Sequence, residues 1–479
     1  MNNMKKFYTV IFIALTFHNY FAQEIYDLEK SISVALQKSF GIQNANYSLI
    51  SSQKNLEAFK AGLFSQLDLE FDIPTYSESL SSQFNPLLSR EDFFELGSTR
   101  VEGRLSLSQP IIFTNGNINL TGRLFGREQF GTNIITTKDY FTNVSISLQQ
   151  PLFTFNAQSA NLERAEINLE NAKRHFNESE QNLIFNVKSA FYNLYKIKEN
   201  VKILEEKVKQ NEESYLTAKN KLIAGLIAEV EALQLEVDLA SSKNELLNSQ
   251  RSYEEDLANF KLLIGLELDD KIEIISNLQY LPILVDEEKA IESAINNRPD
   301  LLNQQSEIYL SQLNVEEIDS RRQIKADLVA RYGLSKNDEK FSSLYADLLD
   351  DINIGLNLSI PIWDWGQNNK QVEAAEANYK ISQLVYENLK KNIRNEVISA
   401  INSLNSAKAR VEVLSKTVEI AEKSYDISLE RFKSGTISSF DLAQMQIRLT
   451  EAKNNSLNAL IDYNLSLADL ERKTYLNLQ

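Results

Sequence analysis

The chain is 479 residues long and 43% hydrophobic, with a formal charge of −16 and no cysteine. That length can bury a large core. The acidic balance excludes nucleic acid, itself a polyanion, as a natural partner, and the missing thiols exclude disulfides, thiolate metal sites and cysteine catalysis.

At the amino terminus Lys5 and Lys6 precede an apolar run from Phe7 to Phe17, and Ala22 offers a small residue for cleavage. The run is too short for a mature bilayer span, so residues 1–22 are expected to be a signal peptide, although Tyr20 is not the small residue usual before a cut. No later stretch has about 18 apolar residues free of charge, so helical membrane spans are not expected.

Leu67, Leu69, Phe71 and Ile73 alternate with Asp68, Glu70 and Asp72. This period of two, one face apolar and one polar, marks a strand. From Phe84 to Tyr140 comes an insertion without counterpart later in the chain. Leu105, Leu107, a turn from Pro110 to Gly116, then Ile118 and Leu120 predict an extra hairpin there, as a barrel extension or an external loop. Val144, Ile146 and Leu148 alternate with Ser145, Ser147 and Gln149 as a further strand.

From Asn156 to Leu222 neither proline nor glycine intervenes, a length that as helix would reach about 100 Å. Its apolar residues Leu183, Val187, Ala190, Leu194, Ile197, Val201, Leu204 and Val208 alternate steps of four and three. That period keeps one seam facing a partner helix, as in a coiled coil. Ala224-Gly225-Leu226 reverses the chain, and a returning helix is expected from Ala228 to Ile264. Gly265 to Pro282 breaks the helical pattern.

The second half repeats the first. Leu148-Gln149-Gln150-Pro151-Leu152-Phe153 recurs 210 residues on as Leu358-Ser359-Ile360-Pro361-Ile362-Trp363, and the same offset pairs Tyr215 with Tyr425, Gly225 with Gly435 and Tyr253 with Tyr463. Leu328, Ala330, Tyr332 and Leu334 form a weaker strand, and Ile352, Ile354, Leu356, Leu358 and Ile360 a strong one. Ile393, Val397, Ala400, Leu404, Ala407, Val411, Leu414 and Val418 repeat the coiled-coil seam, Ser434-Gly435-Thr436 the reversal, and Ser438 to Thr474 the return. The expected organisation is a signal (1–22), a first repeat (23–265), a linker (266–284) and a second repeat (285–479), each repeat a helix, strands and a long helical hairpin.

Half-buried strands of a soluble sheet show the same alternation. Context favours a membrane: four strands cannot cover so much coiled coil in one domain, whereas three chains would supply twelve, enough to close a barrel. Trp363 and Trp365 flank the strand end at Pro361, where aromatic rings suit a membrane interface or the packing of a helix start.

Three motifs carry a family resemblance. Asn297-Arg298-Pro299-Asp300-Leu301, Pro361-Ile362-Trp363-Asp364-Trp365-Gly366 and Arg431-Phe432-Lys433-Ser434-Gly435, with Asp441-Leu442 beyond, resemble in order and spacing the TolC family of outer-membrane efflux channels. The likeness covers about residues 25 to 475. It implies a homotrimer with four strands per subunit in a barrel of about twelve, set in outer-membrane lipid and continuous with a helical tunnel across the periplasm. Gly265–Pro282 and the carboxyl-terminal end would form an equatorial collar. It further implies a periplasmic adaptor (membrane fusion) protein and an inner-membrane pump of the RND, ABC or MFS type as partners, in tripartite efflux or type I secretion, with no enzymatic activity or cofactor.

The resemblance also implies a pore constriction at Asp441 and Gln444, with Glu231 and Gln234 in the matching places of the first repeat. Asp441 also suits a plain helix start, where an acidic side chain meets the positive helix end. Phe432 and Ile437 take the places of a tyrosine and an arginine that latch the closed state in the family, and neither can make that latch. Ser65 and Ala326 stand where prolines usually precede the first strand of each repeat. Gly225, Leu226, Gly435 and Thr436, with Ile437 beside them, are expected to meet the adaptor, though a turn alone also explains the glycines.

Enzymatic chemistry finds little support. His175 is the one histidine beyond the signal, and a lone helical histidine reads as a surface residue. No phosphate-cradling glycine loop occurs and no Glu/His cluster has metal spacing. Asp347, Asp350 and Asp351 could attract a divalent ion or simply solvate a loop. The rival to a passive export duct is an exported periplasmic coiled-coil scaffold or adaptor with no membrane barrel.

Overall fold

The computed structural model describes residues 24–85, 89–131, 134–276, 278 and 280–478. The expected signal, 1–22, lies outside them. The chain divides into two compact units: one of residues 24–44, Ser179–Ser293 and Glu396–Gln479, the other of Ala45–Glu178 and Ala294–Asn395.

The elements run β1 (Glu24–Tyr26), α1 (Leu28–Lys38), α2 (Phe40–Gly62), β2 (Gln66–Asn85), β3 (Arg90–Ile111), β4 (Gly116–Gly131) and β5 (Ile134–Leu152). There follow α3 (Ala157–Ile223), α4 (Glu229–Ile264), β6 (Ile272–Ile274), α5 (Glu287–Asn297), α6 (Pro299–Ser320), β7 (Lys325–Asp338), a 3-10 turn at Phe341–Ser343, β8 (Leu349–Ser359), α7 (Gln367–Lys433) and α8 (Ser439–Thr474). The chain is mixed α and β with a helical majority. Helices α3 and α7 each have 67 residues, and α4 and α8 each have 36. No helix among the described residues is long and apolar enough to cross a membrane.

In the first unit the four-and-three seam is what the helices bury. Leu183, Val187, Leu194 and Leu204 on α3, and Val397, Ala400, Leu404, Ala407 and Val411 on α7, are all buried. Each large apolar side chain so covered contributes about 1.5–3 kcal/mol. Phe191 packs on Phe260 with ring centroids 6.1 Å apart. The segment after α4 is tied back onto this core. β6 pairs in parallel with β1, Lys198 Nζ donates to the Ile274 carbonyl at 2.6 Å, and the buried Tyr463 hydroxyl donates to the Leu281 carbonyl at 2.6 Å.

The second unit holds an antiparallel sheet in the order β2-β3-β4-β5-β7-β8. The sequence predicts four strands per chain and an extra hairpin in the insertion, as a barrel extension or an external loop. The sheet has six strands, because that hairpin, β3 and β4, extends the sheet from within, paired to β2 on one flank and β5 on the other. Period-two alternation holds across all six. Leu67, Leu107, Leu120, Ile146, Tyr332 and Ile352 are successive cross-strand partners in one row, on one face. The adjoining row on the other face reads Asp68, Ser106, Thr121, Ser145, Gly333 and Asp351.

Candidate functional site: the helical tips and the two-faced sheet

Both long hairpins reverse through the same backbone device. At the end of α3 the Gly225 N–H reaches the Leu222 carbonyl and the Leu226 N–H the Lys221 carbonyl, both at 2.9 Å; at the end of α7 Gly435 reaches Phe432 at 3.0 Å and Thr436 reaches Arg431 at 2.9 Å. These paired bonds satisfy orphan carbonyls of the last turn and require a left-handed residue between them. Gly225 and Gly435 supply it, with φ of 70° and 80°.

The following helices start differently. Ser438 caps α8 in a full capping box: its hydroxyl accepts from the Asp441 N–H at 3.2 Å, and the Asp441 carboxylate accepts from the Ser438 N–H at 3.2 Å and hydroxyl at 2.8 Å. Those bonds hold the Asp441 carboxyl below its usual range. Ala228, at the matching place before α4, makes no side-chain cap. Glu231 lies in the first turn of α4, and Gln234 donates along that helix to Asp238 at 3.1 Å. Asp441 is exposed and Gln444 half-buried.

Phe432 and Ile437, which stand where the family has its latch and cannot form it, are packing residues. Phe432 is 2% exposed in a cluster with Ala218, Ala232, Leu235, Tyr425, Leu442 and Leu449, and Ile437 packs against that cluster. Lys221 joins the two hairpins here, its ammonium donating to the Phe432 carbonyl and lying 4.3 Å from the ring centroid. A cation suits the carbonyl-rich end of α7. The sequence signalled Phe432 only as a departure, and Lys221 not at all. Leu226 and Thr436 stay exposed at the turns, as do Ile223, Val230, Leu233 and Phe440 around them.

The Arg298 motif proves to be a helix start in the other unit. Pro299 opens α6, Leu301 is buried, and Arg298 grips the Asp300 carboxylate through Nε at 3.1 Å and Nη2 at 2.6 Å.

In the sheet, Glu102 was not singled out by sequence. It is 3% exposed and bound by Arg100, by Arg104 at 2.9 Å and by Arg123, all on the polar face. Cross-strand clustering of charge is invisible until the register of β3 and β4 is known. The apolar face is the opposite case, its side chains legible and uncovered: Leu67, Leu120, Ile146, Tyr332 and Ile352 are all exposed. Aromatic rings stand at both ends of that face. Tyr76 stacks on Phe130 at 5.6 Å and Tyr140 meets Phe341 edge-on at 5.6 Å, while Phe113, Phe153, Trp363 and Trp365 are exposed at the helix-proximal end. The two tryptophans touch only edge to face, 5.5 Å apart, and are 74% and 89% exposed. Asp347 sits in the turn before β8 with φ of 51°, and no group of acidic or histidine side chains among the described residues is arranged to hold a metal ion.

A sheet with one apolar and one polar face and aromatic rings at both ends, in a chain that also carries long paired helices, has the pattern of a channel-forming membrane protein. The chain matches the family described as outer membrane efflux protein over residues 127–266 and 290–474, and belongs to it. Its place is accordingly the outer membrane, extending into the periplasm. It is 23% identical over 264 residues to outer membrane protein TolC of Salmonella enteritidis, a match covering 49% of this chain and 54% of that protein. The chain thus spans about half the length of the curated relatives it matches. The fold resembles that of the Campylobacter jejuni CmeC outer membrane channel, with a TM-score of 0.69, 16% identity and coverage of 99% and 93% of the two chains. It also resembles the open state of the Neisseria gonorrhoeae MtrE outer membrane channel, with a TM-score of 0.66, 16% identity and coverage of 94% and 89%.

Proposed function

We propose that this chain is the exit duct of a tripartite efflux or type I secretion system, carrying solutes passively across the periplasm and outer membrane. Three copies close a barrel in lipid, and their helical hairpins together line a tunnel. The observation that carries this is the uncovered apolar face of the sheet. A periplasmic scaffold would have no use for an apolar surface six strands wide, which in water would drive aggregation. The chain has no catalytic part in the transport.

The remaining assignments follow from that duct. Residues 23–265 and 285–479 are two copies of one unit joined by 266–284, in keeping with the equal lengths of α3 and α7 and of α4 and α8. The exposed turns at Gly225-Leu226 and Gly435-Thr436 meet a periplasmic adaptor, through which an inner-membrane pump of the RND, ABC or MFS type delivers the solute. Asp441 and Gln444, with Glu231 and Gln234, ring the narrow end. Three carboxylates around one axis favour cations there.

Detergent extraction of the outer-membrane fraction, followed by planar-bilayer recording, tests the duct. Discrete conductance steps from a trimer are expected. Recovery of the protein from periplasm without detergent, with no conductance, would overturn it.

A further inference from the structure

The inserted hairpin β3–β4 has a clear relation to its neighbours. β2 pairs with β3 from Gln66 to Asn85, β3 with β4 from Leu96 to Ile111, and β4 with β5 from Asn117 to Gly131. Lifting the hairpin out as a loop or plug would strip the ladder partners from β2 and one side of β5. In hydrocarbon no water replaces them.

The faces agree with the pairing. Leu107 and Leu120 lie in one row with Leu67, Ile146, Tyr332 and Ile352, so the hairpin turns its apolar side the same way as the four strands already expected. On that side three of its glycines are roofed by rings from adjacent strands. Phe71 lies over Gly103, Tyr140 over Gly126, and a Cβ on Gly97 would collide with Phe130. Aromatic rings covering strand glycines are a device of curved, closed sheets. On the polar side Glu102 gathers arginines from both β3 and β4.

The unpaired edges then belong to β2 and β8. Every pairing in the sheet is antiparallel and the strand number is even, so β2 and β8 run in opposite directions. The β8 edge of one copy therefore fits the β2 edge of the next as one more antiparallel pair. Alternation is kept around the ring, and no edge faces lipid.

From this we propose that the membrane wall has eighteen strands, six from each of three copies, and not twelve. The partner at each sheet edge is a second copy of this chain. The inference rests on the duct reading above. Barrel diameter grows roughly linearly with strand number, so the bore is about half again as wide as twelve strands would give.

The absence of cysteine makes the test direct. Single cysteines replace Leu107 and Leu120 in the hairpin, Ile146 and Ile352 as references, and Ser106 and Thr121 on the polar face. Each variant carries an environment-sensitive fluorophore, and trimers in vesicles meet either brominated lipid or aqueous iodide. Lipid quenching at Leu107→Cys and Leu120→Cys within about twofold of that at Ile146→Cys and Ile352→Cys, with iodide reaching Ser106→Cys and Thr121→Cys, is expected. Lipid quenching at the references with iodide alone reaching Leu107→Cys and Leu120→Cys would overturn the eighteen-strand wall and leave the duct standing. No lipid quenching at any position would overturn the duct itself.

Discussion

Asp441 closes the capping box of α8, so its carboxylate already has a local partner in Ser438. Charge and cap can be separated. Asp441→Asn keeps an oxygen for the Ser438 N–H but removes the charge, and is expected to lower cation preference in single-channel recording by about twofold or more. Unchanged selectivity would remove Asp441 from the narrow end. Ser438→Ala should do the reverse, leaving selectivity alone while costing about 1 kcal/mol of local stability, read as faster amide exchange over the first turn of α8. At Gly435 the space beside the Cα is open, so Gly435→Ala has only its left-handed backbone to oppose it. A loss of about 1 kcal/mol is expected from denaturant unfolding. Burial pushes the Tyr425 hydroxyl up from its usual value near 10 to about 12, with Glu213 and Asp426 adding to the effect. The folded state thus favours the neutral phenol. That stability is complete below pH 10 and is lost as pH rises towards 12. Melting temperature should fall across that window, and fall less steeply in Tyr425→Phe.

The long helices of the hairpins were legible almost to the residue. The expected span Asn156–Leu222 is observed as Ala157–Ile223, and Ser438–Thr474 as Ser439–Thr474. A run free of proline and glycine, with a repeating seam and a glycine at its end, states its own limits. The strands of the insertion were less so, because β3 and β4 place Gly97, Gly103, Gly122 and Gly126 where apolar residues would have marked the face. What fills three of those gaps comes from Phe71, Phe130 and Tyr140 on neighbouring strands, which a local pattern cannot register. The tip residues were legible as positions and not as contacts. Phe432 stood out for lacking a hydroxyl, whereas its burial depends on Tyr425 and Leu442 along with Ala218, Ala232 and Leu235 from the other hairpin. Phe432→Ala is expected to cost about 3–5 kcal/mol and to raise amide exchange at both turns together. Exchange confined to the end of α7 would mean that the hairpins do not depend on one another there.

For the whole molecule, two properties point the same way. The sheet leaves an apolar face without cover and two edges without partners, and membership of an outer-membrane family supplies lipid for the first. In the proposed trimer, further copies of the chain supply the second. Neither need is met by one chain alone, so oligomer formation and membrane insertion are expected to be a single event, as for other barrels that cannot leave an edge in hydrocarbon. The most direct measurement is the mass of the detergent-extracted particle, by native mass spectrometry, taken with its conductance in a planar bilayer. A particle of three chains, each of 54.7 kDa before loss of any signal, that conducts in discrete steps is the expected result. A monomer that stays in water without detergent and passes no current would contradict the channel.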